Sequence, residues 1–351
     1  MTMAKDAEPV VSARQAASRR WDVAWLGRRR EVLVAAAVII VIAISTAVHS
    51  YFWSSANISF IFADSIVVAF LALGESFVML GRGIDLSVGA IMGMSAIIVG
   101  FRIQNHGMTL GPAILLGAAV GIVLGLGNAL LVGVTRLPPI IATLGTFSVY
   151  SGLEFVVTNG NQVDTIPNSI TNLGVNTVLP GVPVILIATL PFFIVAALVL
   201  RYTTFGRSIY AVGDDAEAAY RAGIPVQRTL FLTYVIAGLF SGLAGVVFLI
   251  HTSGASSTTG NTDNLSAIAA ALIGGTALTG GRGGAFGALI GSVFLSATLT
   301  ALSYLHVSDV WQPAGVGVLV LLAVISDSSG GRPRLRRRSR PARSRPWRSR
   351  P

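Results

Sequence analysis

The sequence contains no cysteine, which excludes disulfides, thiolate nucleophiles and thiolate metal sites. It has a single lysine, Lys5, and no GxxxxGK[ST] string. The chain therefore carries no P-loop, and any ATP that drives it must be hydrolysed by another subunit. Its four histidines, His49, His106, His251 and His306, show no ligand spacing, and His251-Thr252-Ser253-Gly254 does not match the Gly-x-Ser-Gly nucleophile of a membrane serine protease. No metal site, catalytic residue or cofactor is expected. Charge is scarce as well: 11% of residues are charged, against about 25% in a soluble domain.

What the chain has instead is apolar length. Of its 351 residues 53% are hydrophobic, and the mean hydropathy is +0.74. A helix crosses the hydrocarbon layer in ~20 residues. Ten runs qualify: 32–50, 58–80, 85–103, 112–134, 139–157, 182–200, 229–250, 264–279, 285–304 and 309–326. The eighth is short and rich in glycine, which suits a tilted, broken or re-entrant segment. The first run is too long for a signal-peptide core, usually ~7–15 residues, and reads as an uncleaved span. The expected fold is all-α and polytopic, with about ten transmembrane helices and Gly-rich breaks. Residues 1–31 form an N-terminal segment, 32–327 the transmembrane domain and 328–351 a tail.

Net charge divides unevenly along this plan. The tail from Gly330 holds ten arginines and no acid, whereas 32–329 has eight arginines against eleven Asp and Glu. With the N-terminus in the cytoplasm, inner loops receive Arg82, Arg136, Arg201, Arg207, Arg221, Arg228 and Arg282, and outer loops only Arg102. That bias sets the orientation, with both termini cytoplasmic. The Arg-Pro-Ser tail has almost nothing to bury, so it is expected to be disordered and drawn to the anionic leaflet rather than to nucleic acid. The outer loops 158–181 and 252–263, rich in Gly, Asn, Thr and Ser, read as surface turns.

GRGIDLSVGA, residues 81–90, places Arg82 and Asp85 between two apolar runs. A charge at membrane depth costs ~2.5–3.5 kcal/mol on an insertion scale, so the segment needs a reason to be there. Asp85 is read either as an N-cap accepting from the Val88 N–H, as half of an inner gate in which Arg82 and Asp85 exchange partners beside Ser87, or as a coupled proton site. Of the other polar residues within spans (Glu75, Asn128, Thr143, Thr146 and Ser148), the neutral ones suit interhelical hydrogen bonds. Asn128 and Thr146 are the candidates for a solute path. Glu75, near the inner end, is expected to snorkel or pair with an arginine. In the inner loop 201–228, Asp214–Ala222 reads as a short surface helix, capped by Asp214 or Asp215 and stopped by Gly223 and Pro225.

Four stretches taken in order are more specific: FVMLGRGIDLSVGAIMGMS (77–95), GNALLVGVTRLPPIIATLGT (127–146), FGRSIYAVGDDAEAAYRAGI (205–224) and LSAIAAALIGGTALTGGRGGAFGALIG (265–291). Together they resemble the permease subunit of ribose/xylose-type ABC sugar importers, within the branched-chain permease superfamily, over roughly residues 32–326. Glu217-Ala218-Ala219 followed by Gly223 is similar to the EAA-x3-G loop of such permeases. The resemblance implies an ATPase-coupling loop at Gly206, Arg207, Gly213, Glu217, Ala218, Ala219, Arg221 and Gly223. It implies as partners a second permease copy, two cytoplasmic ABC ATPase subunits and an extracytoplasmic sugar-binding protein, all at the inner (plasma) membrane. Two departures stand out. Leu80-Gly81-Arg82-Gly83 replaces the Thr-Gly-Gly usual before IDLSVG, and Asn264-Leu265-Ser266 replaces Glu-Leu-Asp before AIAA.

The implied function is import of a monosaccharide by alternating access, with no enzymatic step in this chain. The alternatives are an ABC permease for a non-sugar solute, an ion-coupled secondary transporter relying on Asp85 or Glu75, and a non-transporting membrane scaffold.

Overall fold

A computed structural model describes residues 39–40, 42–47 and 49–329. Segment 1–31, most of the first expected span and the ten-arginine tail lie outside the described residues. The elements are α1 (Ser55–Leu80), α2 (Val88–His106), α3 (Leu110–Ala129, continued by a π-turn Leu130–Val134), α4 (Pro139–Thr158), α5 (Asn168–Val175) and a hairpin β1 (Thr177–Leu179) and β2 (Val182–Pro183). Then come α6 (Val184–Tyr202), α7 (Thr204–Asp214), α8 (Ala216–Arg221), α9 (Val226–Thr252), α10 (Asp263–Ile273), α11 (Ala285–Tyr304) and α12 (Gln312–Ser329).

Seven of the described helices are long and apolar enough to cross a membrane: α1, α2, α3 with its π-turn, α4, α6, α9 and α11. The expected count of ten is corrected in part at the eighth span. Residues 264–279 do not make one helix. α10 stops after Ile273, where Gly274 ends the helix and Gly275 turns at φ +89°. At 1.5 Å per residue its eleven residues cover about half of a ~30 Å hydrocarbon layer.

The three helices α1, α2 and α9 are buried over most of their length, whereas only 28% of the apolar stretch of each of α3, α4 and α6 is buried. A helix apolar all round belongs inside the bundle, and α1 meets that description: it packs on α9, α11, α10 and α6. Where helices touch, glycine sets the distance. Gly117, Gly121 and Gly125 of α3 face Gly238 and Gly242 of α9, and a Cβ on Gly121 would sit 2.2 Å from the Gly238 carbonyl oxygen. Without a hydrophobic drive between helices in lipid, such backbone proximity supplies the packing energy.

The two outer loops are not simply surface turns. Val163 is buried against Gly100, and it pairs with Ala255 through two backbone hydrogen bonds of 2.8 and 2.9 Å. Beyond that bridge the chain runs inward, so that Gly260 lies against the backbone of Gly89 and Thr259 is buried. Within 252–263 only Ala255, Thr259 and Gly260 are buried against the bundle, while Thr252, Ser253, Thr258, Asn261 and Thr262 stay exposed.

Candidate functional site

α1 ends in a tight turn in which the N–H groups of Gly81 and Gly83 both donate to the Val78 carbonyl at 3.0 Å. Arg82, between them, has a left-handed φ of 67°. The chain then doubles back along α1, bringing the Asp85 N–H to the Glu75 carboxyl group at 3.2 and 3.3 Å. Glu75 is therefore fully buried against backbone. Among the described residues it neither snorkels nor pairs with an arginine, contrary to the expectation from its position near the helix end.

Asp85 is also fully buried. Its Oδ1 accepts from the Ser87 N–H at 2.8 Å and the Ser87 hydroxyl at 2.7 Å, an Asx turn rather than the expected cap on Val88. Ser87 occupies the N-cap position of α2. Asn128, on α3, donates to Asp85 Oδ2 at 3.0 Å and to the Ser87 hydroxyl oxygen at 2.7 Å. Thr146, on α4, donates to Asn128 Oδ1 at 2.6 Å. Thr143 accepts from the Leu86 N–H and reaches the Ile84 and Pro139 carbonyls. A relay thus ends on one carboxyl group: Thr146 of α4 donates to Asn128 of α3, and Asn128 and Ser87 donate to Asp85.

The structure brings Asp85, Ser87, Asn128 and Thr146 into one network and separates Arg82 from it. Arg82 points the other way, its Nε donating to the Thr279 carbonyl at 2.8 Å and its Nη2 to the Asp214 carbonyl at 2.6 Å. The two charges expected to exchange partners at a gate are therefore not partners here. Asn128 and Thr146 bond each other and are buried rather than facing an open path.

The inner-loop residues form a second constellation at the end of the bundle that carries Arg82. Thr203 caps α7 by accepting from the Gly206 N–H, and a Cβ on Gly206 would lie 2.2 Å from the Leu200 carbonyl, so Gly206 and Arg207 mark the α6–α7 corner. Gly213 packs on the end of α1, where a Cβ would lie 1.9 Å from the Leu80 carbonyl. Asp215 caps α8 by accepting from the Glu217 and Ala218 N–H groups at 3.0 Å each. Glu217 pairs with Arg221 one turn on, an exposed i,i+4 pair contributing ~0.3–0.5 kcal/mol. Ala219 is buried under the helix, and Gly223 ends it with φ +82°. Beside α8 lies a groove of about 760 Å³ lined in part by Arg136, Glu217, Tyr220, Gly223 and Arg228.

Several polar residues escaped the sequence reading. Asn264 accepts from the Gly89 N–H at 2.6 Å, joining the starts of α2 and α10. Its one signal was its place in the Asn-Leu-Ser departure. Glu154 on α4 is fully buried, with its carboxyl group against Gly93 and close to the Met94 backbone. The Tyr234 hydroxyl of α9 lies against Gly83, without a partner among the described residues. No periodicity points to these contacts, because each joins segments distant in sequence. Among the described residues no three His, Asp or Glu gather as a metal site.

Residues 57–325 match the family described as "Branched-chain amino acid transport system / permease component". The chain is 36% identical over 300 residues to the autoinducer 2 import system permease protein LsrC of Enterobacter sp., an alignment covering 86% of this chain and 87% of that one. It is 37% identical over 298 residues to the ribose import permease protein RbsC of Bacillus subtilis, covering 83% and 90%. It is 34% identical over 302 residues to a probable ABC transporter permease protein, y4mJ, of Sinorhizobium fredii, covering 85% and 89%. No solved structure matches the chain. With the match spanning the bundle from the start of α1 into α12, and seven helices fit to cross a bilayer, this chain belongs to that permease family and is a multi-pass protein of the cell membrane.

Proposed function

We propose that this chain is the membrane-spanning subunit of an ATP-driven importer that moves a monosaccharide, ribose- or xylose-like, by alternating access. Two cytoplasmic ABC ATPase subunits drive it, an extracytoplasmic binding protein delivers the solute, and a second copy of the chain completes the path. The Arg-rich end is cytoplasmic, as are both termini. The observation that carries the reading is α8: a capped, exposed helix with Glu217 and Tyr220 beside an open groove, following directly on α7, whose Gly213 packs on the end of α1. The small exposed residue Ala218 lets another backbone approach. The names of the relatives, ribose and autoinducer 2 import permeases, support a small polyhydroxylated solute.

Glu217→Lys tests the docking role. It sets two like charges against each other with Arg221 and reverses the sign of the groove rim. Capture of the ATPase subunit in a pull-down is expected to fall at least tenfold while membrane insertion is unchanged; undiminished capture would contradict the role. Deleting residues 332–351, beyond the 57–325 match, is expected to change uptake less than twofold in reconstituted vesicles, and a well-inserted but inactive truncation would assign the tail a role in transport. Uptake that persists without an ATPase and collapses with an uncoupler would replace the importer reading with ion-coupled transport.

A further inference from the structure

Arg82 holds a backbone conformation that suits glycine, with φ 67°. L-residues rarely adopt it, because Cβ crowds the carbonyl, so the side chain must compensate for the backbone. It does so by spanning three segments. Its guanidinium donates to the Thr279 carbonyl in the loop after α10 and to the Asp214 carbonyl at the end of α7. Gly280 wraps its stem, leaving no room for a Cβ, which would sit 2.5 Å from the Arg82 Cγ. The same loop is pinned to α1 by the Gly281 N–H on the Leu80 carbonyl at 3.0 Å, and to α7 by the Tyr210 hydroxyl on the Gly283 carbonyl at 2.9 Å.

We propose that Arg82 is a positioning residue that tethers α8 to the buried polar network, pulling the α1–α2 turn when α8 moves away from the bundle. The inference rests on the reading of α8 as the docking helix. On one side Arg82 holds Asp214, whose neighbour Asp215 caps α8 through two N–H bonds. On the other, three residues along the chain, lies Asp85, which Asn128 and Thr146 link to α3 and α4. The Gly213–Leu80 contact joins only α7 to α1 and transmits chiefly a push, and the Gly281–Leu80 and Tyr210–Gly283 bonds tie the loop to α1 and α7 without reaching Asp214 beside the α8 cap. Hydrogen bonds resist separation, so they carry a pull as well. With two directional bonds, Arg82 makes the connection work in both halves of a transport cycle.

The test uses Arg82→Gly, which removes the tether and relieves the backbone, beside Arg82→Lys, which keeps one donor group. In vesicles holding the full importer, both variants are expected to capture the ATPase and hydrolyse ATP within twofold of the unaltered protein. Solute moved per ATP is expected to fall at least fivefold for Arg82→Gly and less for Arg82→Lys. An unchanged ratio for Arg82→Gly overturns the tether, and so does its failure to fold, which would make the arginine merely structural. A second measurement needs no transport. Uncapping α8 with Asp215→Ala is expected to speed amide hydrogen exchange at residues 83–87 in the detergent-solubilised permease, and this effect is expected to vanish in the Arg82→Gly background. An effect that survives there overturns the proposal. If the unaltered assembly shows no ATP-driven uptake, the importer reading fails while the exchange experiment still decides the tether.

Discussion

Gly238→Leu is expected to lower the yield of folded protein at least tenfold, read as the monodisperse fraction after detergent extraction. A Cβ on Gly238 would lie 2.3 Å from the Gly121 carbonyl oxygen and 2.6 Å from the Gly125 Cα. Both obstacles are backbone, so neither can rotate away, and α3 and α9 must separate. Overpacking a core typically costs ~1–3 kcal/mol where side chains can shift; here they cannot, so the upper end applies. At ~1.4 kcal/mol per factor of ten, that exceeds a tenfold shift in the equilibrium between packed and separated helices. The damage extends further, because α9 also packs on α1 and α2. Gly152→Ala, at a mid-helix glycine of α4 with nothing within 4 Å, is the control and is expected to leave the yield unchanged or raise it, since alanine is ~1 kcal/mol better than glycine in a helix interior. Equal yields for Gly238→Leu and Gly152→Ala would refute the packing argument.

The same comparison shows what a sequence of this kind reveals. Apolar run length places helices well: 139–157 became Pro139–Thr158, and 285–304 became Ala285–Tyr304. It fails at 264–279, because Ala and Gly are as apolar in a broken span as in a continuous one. The re-entry of 256–262 was hidden for the opposite reason. Its polar composition looks like surface, and only the close approach of Gly260 to Gly89 shows that Thr259 and Gly260 pack into the bundle.

The polar site was legible as a set of residues but not as a set of connections. Asp85, Ser87, Asn128 and Thr146 each stood out as polar groups in apolar surroundings, yet 43 positions separate Asn128 from Asp85 and 18 separate Thr146 from Asn128. Nearness in sequence misled at Arg82 and Asp85. Two flanking glycines and a left-handed residue turn the chain so sharply that Arg82 faces the end of the bundle while Asp85 faces its interior. Glu75 misled similarly: five residues from the end of α1, it is covered by the returning chain.

Asn128→Leu is the substitution in this network with the largest expected effect. Leucine keeps the branching of the asparagine side chain while replacing its polar atoms by bulkier methyl groups, so the loss of hydrogen bonding comes with some crowding. Two donors disappear, one from Asp85 Oδ2 and one from the Ser87 hydroxyl, and Thr146 loses its acceptor. A neutral interhelical hydrogen bond in a membrane protein averages only ~0.6 kcal/mol, and Thr146 has the Thr143 carbonyl at 3.1 Å as a second acceptor. Thr146→Val is therefore expected to cost under ~1 kcal/mol. Asp85 has no second donor for Oδ2 among the described residues, and a buried acceptor left unmet costs ~1–3 kcal/mol, more when charged. Asn128→Leu should then cost at least ~2 kcal/mol in a detergent unfolding titration and abolish ATP-driven uptake. The cost should shrink when the acceptor is removed as well, because replacing both partners of a buried bond by apolar groups is close to neutral. The double variant Asp85→Leu with Asn128→Leu is expected to regain part of the stability and none of the uptake, a non-additivity diagnostic of direct coupling. If the two single substitutions instead add, or if Asn128→Leu unfolds no more easily than Thr146→Val, then Asp85 and Asn128 do not act as the linked pair that their geometry describes.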